Sequence, residues 1–124
     1  MLSFRTTDVD EARQVIHEGL YTNFIDVPDG STGFMARYDI AAFGALTLGR
    51  LSFGSEVGIQ FGELRSYHVD IPLGGHFAWR QGRHTHAVAT TASAAVFQPH
   101  GVTTLDRVST DCLMLAVKID SQAQ

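Results

Sequence analysis

Five histidines, His68, His76, His84, His86 and His100, fall within residues 67–101. They are the side chains in this chain best suited to acid–base or metal chemistry near neutral pH. His84 and His86 stand two apart, and on a strand such a pair projects from one face toward a single cation. His100, held by Pro99, is the candidate third ligand, and about three protein ligands plus an open position make a catalytic metal site. No carboxylate occurs from Ala87 to His100, which removes both a further ligand and the natural acid or base. A small metal-dependent enzyme built on His84, His86 and His100 is therefore the second reading. The first has these histidines facing solvent or lining an organic pocket, with no cofactor implied.

Other chemistries find less support. Serines and threonines are plentiful at 90–93 and 103–104, yet no Gly-x-Ser-x-Gly elbow accompanies them. LGGHF at 73–77 has neither the length nor the lysine of a phosphate loop and reads as a turn. Asp106, Asp111, Glu56 and Glu63 show no spacing that pairs two carboxylates. Cys112 sits in the apolar run CLMLAVKI and reads as a core thiol. Tyr67, Phe77 and Trp79 offer an apolar wall, with Tyr38, Arg80, His84 and His86 as polar tips, the usual make-up of a small-molecule pocket. The expected pocket residues are Tyr38, Tyr67, Trp79, His84 and His86. Parity alone leaves open whether Phe77 and Trp79 line a pocket or only fill a core.

These residues need elements to position them. Asp8 to Gly19 reads as one amphipathic helix: Asp8 caps it, Glu11 answers as in a capping box, and Val9, Ala12, Val15 and Ile16 form an apolar stripe. After the turn cluster VPDGSTG at 27–33, short alternating runs follow one another. They span 34–40, 44–53, 57–61, 67–71, 76–80, 84–89, 93–98 and 111–119. In the second run Leu46 and Leu48 have opposite parity to Leu51 and Phe53, which predicts a bulge at Gly49-Arg50. Pro72 is expected to end the fourth. The last run is apolar on both faces and is expected at the centre of a sheet. Eight or so short strands with one helix predict an all-β barrel or sandwich.

Length and composition agree with one domain over residues 1–124. The formal charge is −4, Lys118 is the single lysine, and no Lys/Arg cluster exists to hold phosphate backbones. The chain by itself is not expected to grip DNA. No apolar signal core opens it and no run approaches the ~18 apolar residues of a membrane span, so a soluble, cytoplasmic protein with no membrane partner is expected.

The pattern as a whole resembles the N-terminal, cupin-like ligand-binding domain of AraC-type transcriptional regulators. The likeness is carried by FRTTDVDEARQVIHEGL, FMARYDIAAFGALTLGRLSFGSEVGI, YHVDIPLGGHFAWRQG, AAVFQPHG and CLMLAVKI, which are hydrophobic and turn patterns. It implies a cupin-like, jelly-roll β-barrel with a short flanking helix. It also implies a non-enzymatic role, in which a small organic effector binds the barrel and shifts DNA binding by a C-terminal helix-turn-helix domain. No helix-turn-helix segment lies within these 124 residues, and the resemblance leaves homodimerisation by this chain open.

Overall fold

The computed structural model describes residues 1–120. Its eleven strands are β1 (Leu2–Thr6), β2 (Phe24–Asp26), β3 (Ala36–Phe43), β4 (Leu46–Ser52), β5 (Val57–Glu63), β6 (Tyr67–Gly74), β7 (Phe77–Gln81), β8 (Thr85–Ala89), β9 (Ala95–Phe97), β10 (Val102–Val108) and β11 (Leu113–Ile119). A single helix, α1 (Val9–Gly19), lies between β1 and β2. Two antiparallel sheets result, ordered β1-β3-β4-β11-β6-β9 and β2-β5-β10-β7-β8. The fold is a jelly roll, as expected. The barrel is not closed, however: the two sheets face one another across a core that includes Tyr38, Phe53, Phe77 and Phe97.

Local chemistry accounts for the helix. Asp8 is the N-cap in an extended conformation, and its carboxylate accepts from the amides of Asp10 and Glu11. Glu11 does not close a capping box onto Asp8. Its carboxylate accepts from the Thr6 hydroxyl, and Thr6 Oγ1 in turn accepts from the Asp8 amide. Ala12 and Ile16 are the buried residues of the helix and bring its apolar stripe onto the sheets.

Strand β11 lies between β4 and β6, and its two apolar faces follow from that central place. Strand β4 pairs with β3 and β11 without a register shift, so the expected bulge at Gly49-Arg50 is absent. Gly49 faces inward with Leu51, and a side chain there would meet Leu20 at 3.6 Å and Ile40 at 3.7 Å. Leu46 and Leu48 instead belong to the outer face. Phe43, Leu46, Ile119 and Tyr67 form a cross-strand row on that face, with Phe43, Ile119 and Tyr67 exposed.

Pro72 does not end β6. It lies where the β6–β11 register slips, beyond the span His68–Asp70 that pairs with β9, and such a position tolerates a residue without an amide proton. Strand β10 was not expected, yet it is the middle of its sheet, between β5 and β7. Bulges let Leu105 and Val108, three apart, both be buried, and the loss of strict alternation hides this strand.

Candidate functional site

Between the sheets, under the C-terminal end of α1, lies a cavity of about 20 Å³, roughly the space of one water. Ile16, Leu20 and Tyr21 approach it from the helix side. Phe61, Phe97, Leu105 and Met114 give it an apolar wall. His68, Asp70 and Thr103 are its polar groups from the strands.

Two of these polar groups and the Tyr21 hydroxyl form one hydrogen-bonded chain. Tyr21 Oη lies 2.8 Å from His68 Nδ1, and His68 Nε2 lies 2.6 Å from Asp70 Oδ1. His68 and Asp70 are two apart on β6 and so project on the same, inward face; they are 5 % and 4 % exposed. Only a protonated Nε2 can donate to the Asp70 carboxylate. Burial first, and the Asp70 charge second, hold the Tyr21 hydroxyl protonated well above the ordinary tyrosine range. The phenol keeps its proton and can donate it to Nδ1. A buried polar chain of this kind is stable only when each member is satisfied, and here each one finds a partner.

Lys118 closes the same end of the cavity. It pairs across the ladder with His68, its Nζ donates to Leu20 O at 2.8 Å, and its ammonium lies 4.6 Å from the centre of the Tyr21 ring. The last strand is thereby tied to the end of the helix. Asn23 fixes the connector from the other side, donating from Nδ2 to Arg13 O and Tyr21 O, each at 3.0 Å. Thr103 is fully engaged elsewhere, donating to Gly101 O and accepting from Gln81 Nε2.

The five expected pocket residues do not come together, and none of them lines this cavity. Tyr38 is buried, but its hydroxyl donates to Ala12 O at 3.2 Å and its ring packs with Phe4 and Phe53 beneath the helix. Tyr67 is 52 % exposed, because the inward parity of β6 belongs to His68 and Asp70. Trp79 stands one layer back, edge-on to Phe97 with centroids 5.0 Å apart. His84 is exposed in the β7–β8 turn, and His86 is exposed on the edge strand β8 opposite Arg80. The alternative metal set is not assembled: among the described residues no three His, Cys, Asp or Glu side chains group so as to hold an ion. Arg80 makes a two-pronged ion pair with Asp106, joining β7 to β10 at the surface.

Tyr21 and Asp70 were not singled out, and His68, named among the five histidines, was not among the five expected pocket residues. The signal for two of them was present: His-x-Asp on a strand whose other parity, Tyr67, Val69 and Ile71, is apolar. An apolar outer face on this sheet inverted the expected parity. Tyr21 lies in a stretch without periodicity and had no such signal. Cys112 is buried as expected, and burial together with the charges of Asp70 and Asp111 pushes its thiol up to about 11.

A family model described as the AraC-binding-like domain matches residues 12–124. The chain belongs to that family. As an AraC-binding-like domain it is 37% identical, over 124 residues, to a probable thc operon regulatory protein of Rhodococcus erythropolis. That alignment covers 98% of this chain and 37% of the relative, so the domain spans well under half the relative's length. Among solved structures, the domain matches the AraC-like transcriptional activator CuxR with a TM-score of 0.70 at 14% identity, covering 95% of this chain and 47% of that one. A cupin-like protein from Thermotoga maritima matches with a TM-score of 0.56 at 7% identity, covering 79% and 77%. KdgF from a Halomonas species matches with a TM-score of 0.56 at 17% identity, covering 78% and 86%. At these identities the solved structures show a shared cupin fold. The AraC-type, cupin-like nature of the domain agrees with the resemblance in its sequence, and among the described residues no helix is long and apolar enough to cross a membrane.

Proposed function

We propose that this AraC-type domain senses a small organic molecule in its inter-sheet cavity and thereby modulates DNA binding by a separate domain. It acts in the cytoplasm and catalyses no reaction. The observation that carries this reading is the Tyr21–His68–Asp70 chain at the end of an otherwise apolar cavity. A few convergent polar groups in an apolar enclosure are the usual signature of a small-molecule site. The regulator-type relative and the family assignment support a sensing role.

The present cavity is too small for an organic effector, so the bound form differs from this one. Occupancy requires the α1–β2 connector to move, and an effector that prefers the opened form shifts the population toward it. The Lys118 contacts to Leu20 and Tyr21 then change as well, which carries the event to the end of β11. The exposed row Phe43, Ile119 and Tyr67 lies on the outer face of that sheet, where a second copy or another domain would sense the change.

Trp79 is the single tryptophan and contacts Phe97 on the cavity wall, so its fluorescence reports on occupancy. A panel of neutral, acidic and basic metabolites is titrated against the chain by fluorescence and calorimetry. At least one is expected to bind saturably, and His68→Leu is expected to weaken it. If none binds, or if binding is indifferent to every cavity substitution, the sensor reading is wrong.

A further inference from the structure

We infer that Tyr21 occupies the effector's own position as a built-in stand-in, and that the effector is a compact, uncharged phenol. This deepens the sensor reading given above and rests on it. Tyr21 belongs to neither the helix nor a strand. It follows the C-cap Leu20 and precedes β2, so its side chain can leave without breaking a sheet ladder. Its ring nevertheless lies in the inter-sheet cavity, edge-on to Phe61 with centroids 5.8 Å apart and to His68 at 5.3 Å. Its hydroxyl is held by His68 Nδ1 at 2.8 Å, and the Lys118 ammonium sits over its ring. A side chain from a connector thus makes the contacts that a bound aromatic alcohol would make.

The same contacts define what replaces it. With Nε2 donating to Asp70, a neutral His68 ring offers a lone pair at Nδ1 that calls for a donor. A ligand lacking a hydroxyl or N–H leaves that buried atom unpaired, and a site built for a hydroxyl discriminates strongly against such an analogue. A carboxylate would approach Nδ1 as a second acceptor and meet the Asp70 charge. A cation would meet the Lys118 ammonium. A neutral donor matches Nδ1 without setting a charge beside Asp70 or Lys118, and it fits the site best. The space opened when Tyr21 withdraws is that of its phenol ring plus the existing cavity of about 20 Å³. This admits a phenol bearing one small substituent and excludes fused or long-chain aromatics.

The test uses the 124-residue chain with 4-methylphenol, toluene, 4-methylbenzoate and butyramide, read by calorimetry and by Trp79 fluorescence. The expected result is saturable binding of 4-methylphenol, one per chain, about tenfold or more tighter than toluene, a factor that corresponds to one buried hydrogen bond. No binding of 4-methylbenzoate is expected. Tyr21→Ala removes the competitor and should tighten 4-methylphenol by about tenfold, because the competent state no longer has to be vacated. Tyr21→Phe keeps the ring but loses its anchor, and should tighten binding in the same direction if the alanine variant does not fold. His68→Leu should bring 4-methylphenol down to the toluene affinity while leaving toluene unchanged. Equal affinity for toluene and 4-methylphenol, or no gain in either Tyr21 variant, overturns the inference. Binding of butyramide or 4-methylbenzoate without 4-methylphenol overturns the phenol class and leaves the sensor reading standing. Silence from all four compounds sinks the phenol class alone, because the wider panel tests the sensor reading separately.

Discussion

Tyr21→Phe isolates the hydrogen bond on which the candidate site depends. The substitution removes one oxygen and keeps the ring, so the edge-on contacts to Phe61 and His68 persist. What is lost is the 2.8 Å bond to His68 Nδ1, an atom on a side chain only 5 % exposed. Leaving a buried acceptor without a donor costs about 1–3 kcal/mol. The adjoining cavity has room for roughly one water, which can partly restore the donor, so a loss of about 1.5–2 kcal/mol is expected. Tyr38→Phe serves as the comparison, because its 3.2 Å bond to Ala12 O is longer and its acceptor lies within the helix. That variant should lose about 1 kcal/mol or less. Chemical denaturation followed by circular dichroism gives both values. The midpoint should fall more for the Tyr21 variant, with the denaturant slope unchanged in each. A Tyr21→Phe protein as stable as the parent, or a Tyr38→Phe protein that loses more, would falsify the claim that the His68 chain is satisfied only through Tyr21.

Other expectations follow from separate features. Gly75 has φ +70, and an added Cβ would lie 2.6 Å from Cys112 Cα and 2.7 Å from its amide nitrogen, so Gly75→Ala should cost about 3 kcal/mol or more and reduce soluble yield. Gly82, at φ +67 with open space around it, is the control: Gly82→Ala should cost about 1 kcal/mol, and equal losses in thermal melts would refute the steric argument. Burial raises the folded-state values of Tyr21, Tyr38 and Cys112. The stability they contribute is present in full below their unfolded values, 9.0 for the thiol and 10.0 for the phenols, and is lost as pH rises toward the folded values. Melting temperature should therefore fall from about pH 9 upward, and Cys112→Ala should remove the part lost between pH 9 and 11 while sparing the tyrosine part. Lys118→Met should lose about 1.5–3 kcal/mol through the charged bond to Leu20 O and the contact with Tyr21, with faster amide exchange at the end of α1 as the local readout.

Much of this fold was legible in the sequence because local chemistry and tertiary structure agree there. Asp8 caps the helix where a capping residue stands, and the doubly apolar β11 stands at the centre of its sheet, between β4 and β6. Legibility ended where an irregularity or a second apolar face intervened. The β10 bulges destroy the alternation that marks a strand. In β4, Gly49 keeps the inward parity of Leu51 while Leu46 and Leu48 cover the outer face, which mimics a bulge in the sequence. The same outer face sets Tyr67 apart from the cavity: Tyr67 is more apolar than His68, but His68 is the buried one, with a partner in Tyr21 from 47 residues away. No local pattern encodes that contact.

The order of the strands also has a consequence for how the chain is made. In one sheet β1, β3 and β4 reach β6 and β9 only through β11, and in the other β2 and β5 reach β7 and β8 only through β10. Each sheet is thus two unjoined halves until the last two strands have left the ribosome. Pairings of such long sequence separation form slowly, and the open edges of β4, β5, β6 and β7 stay available to other chains in the meantime. A stall in translation after β9 would hold the nascent domain in its most adhesive state. Synthesis speed over residues 102–119, which carry β10 and β11, should govern soluble yield more than speed over any earlier stretch.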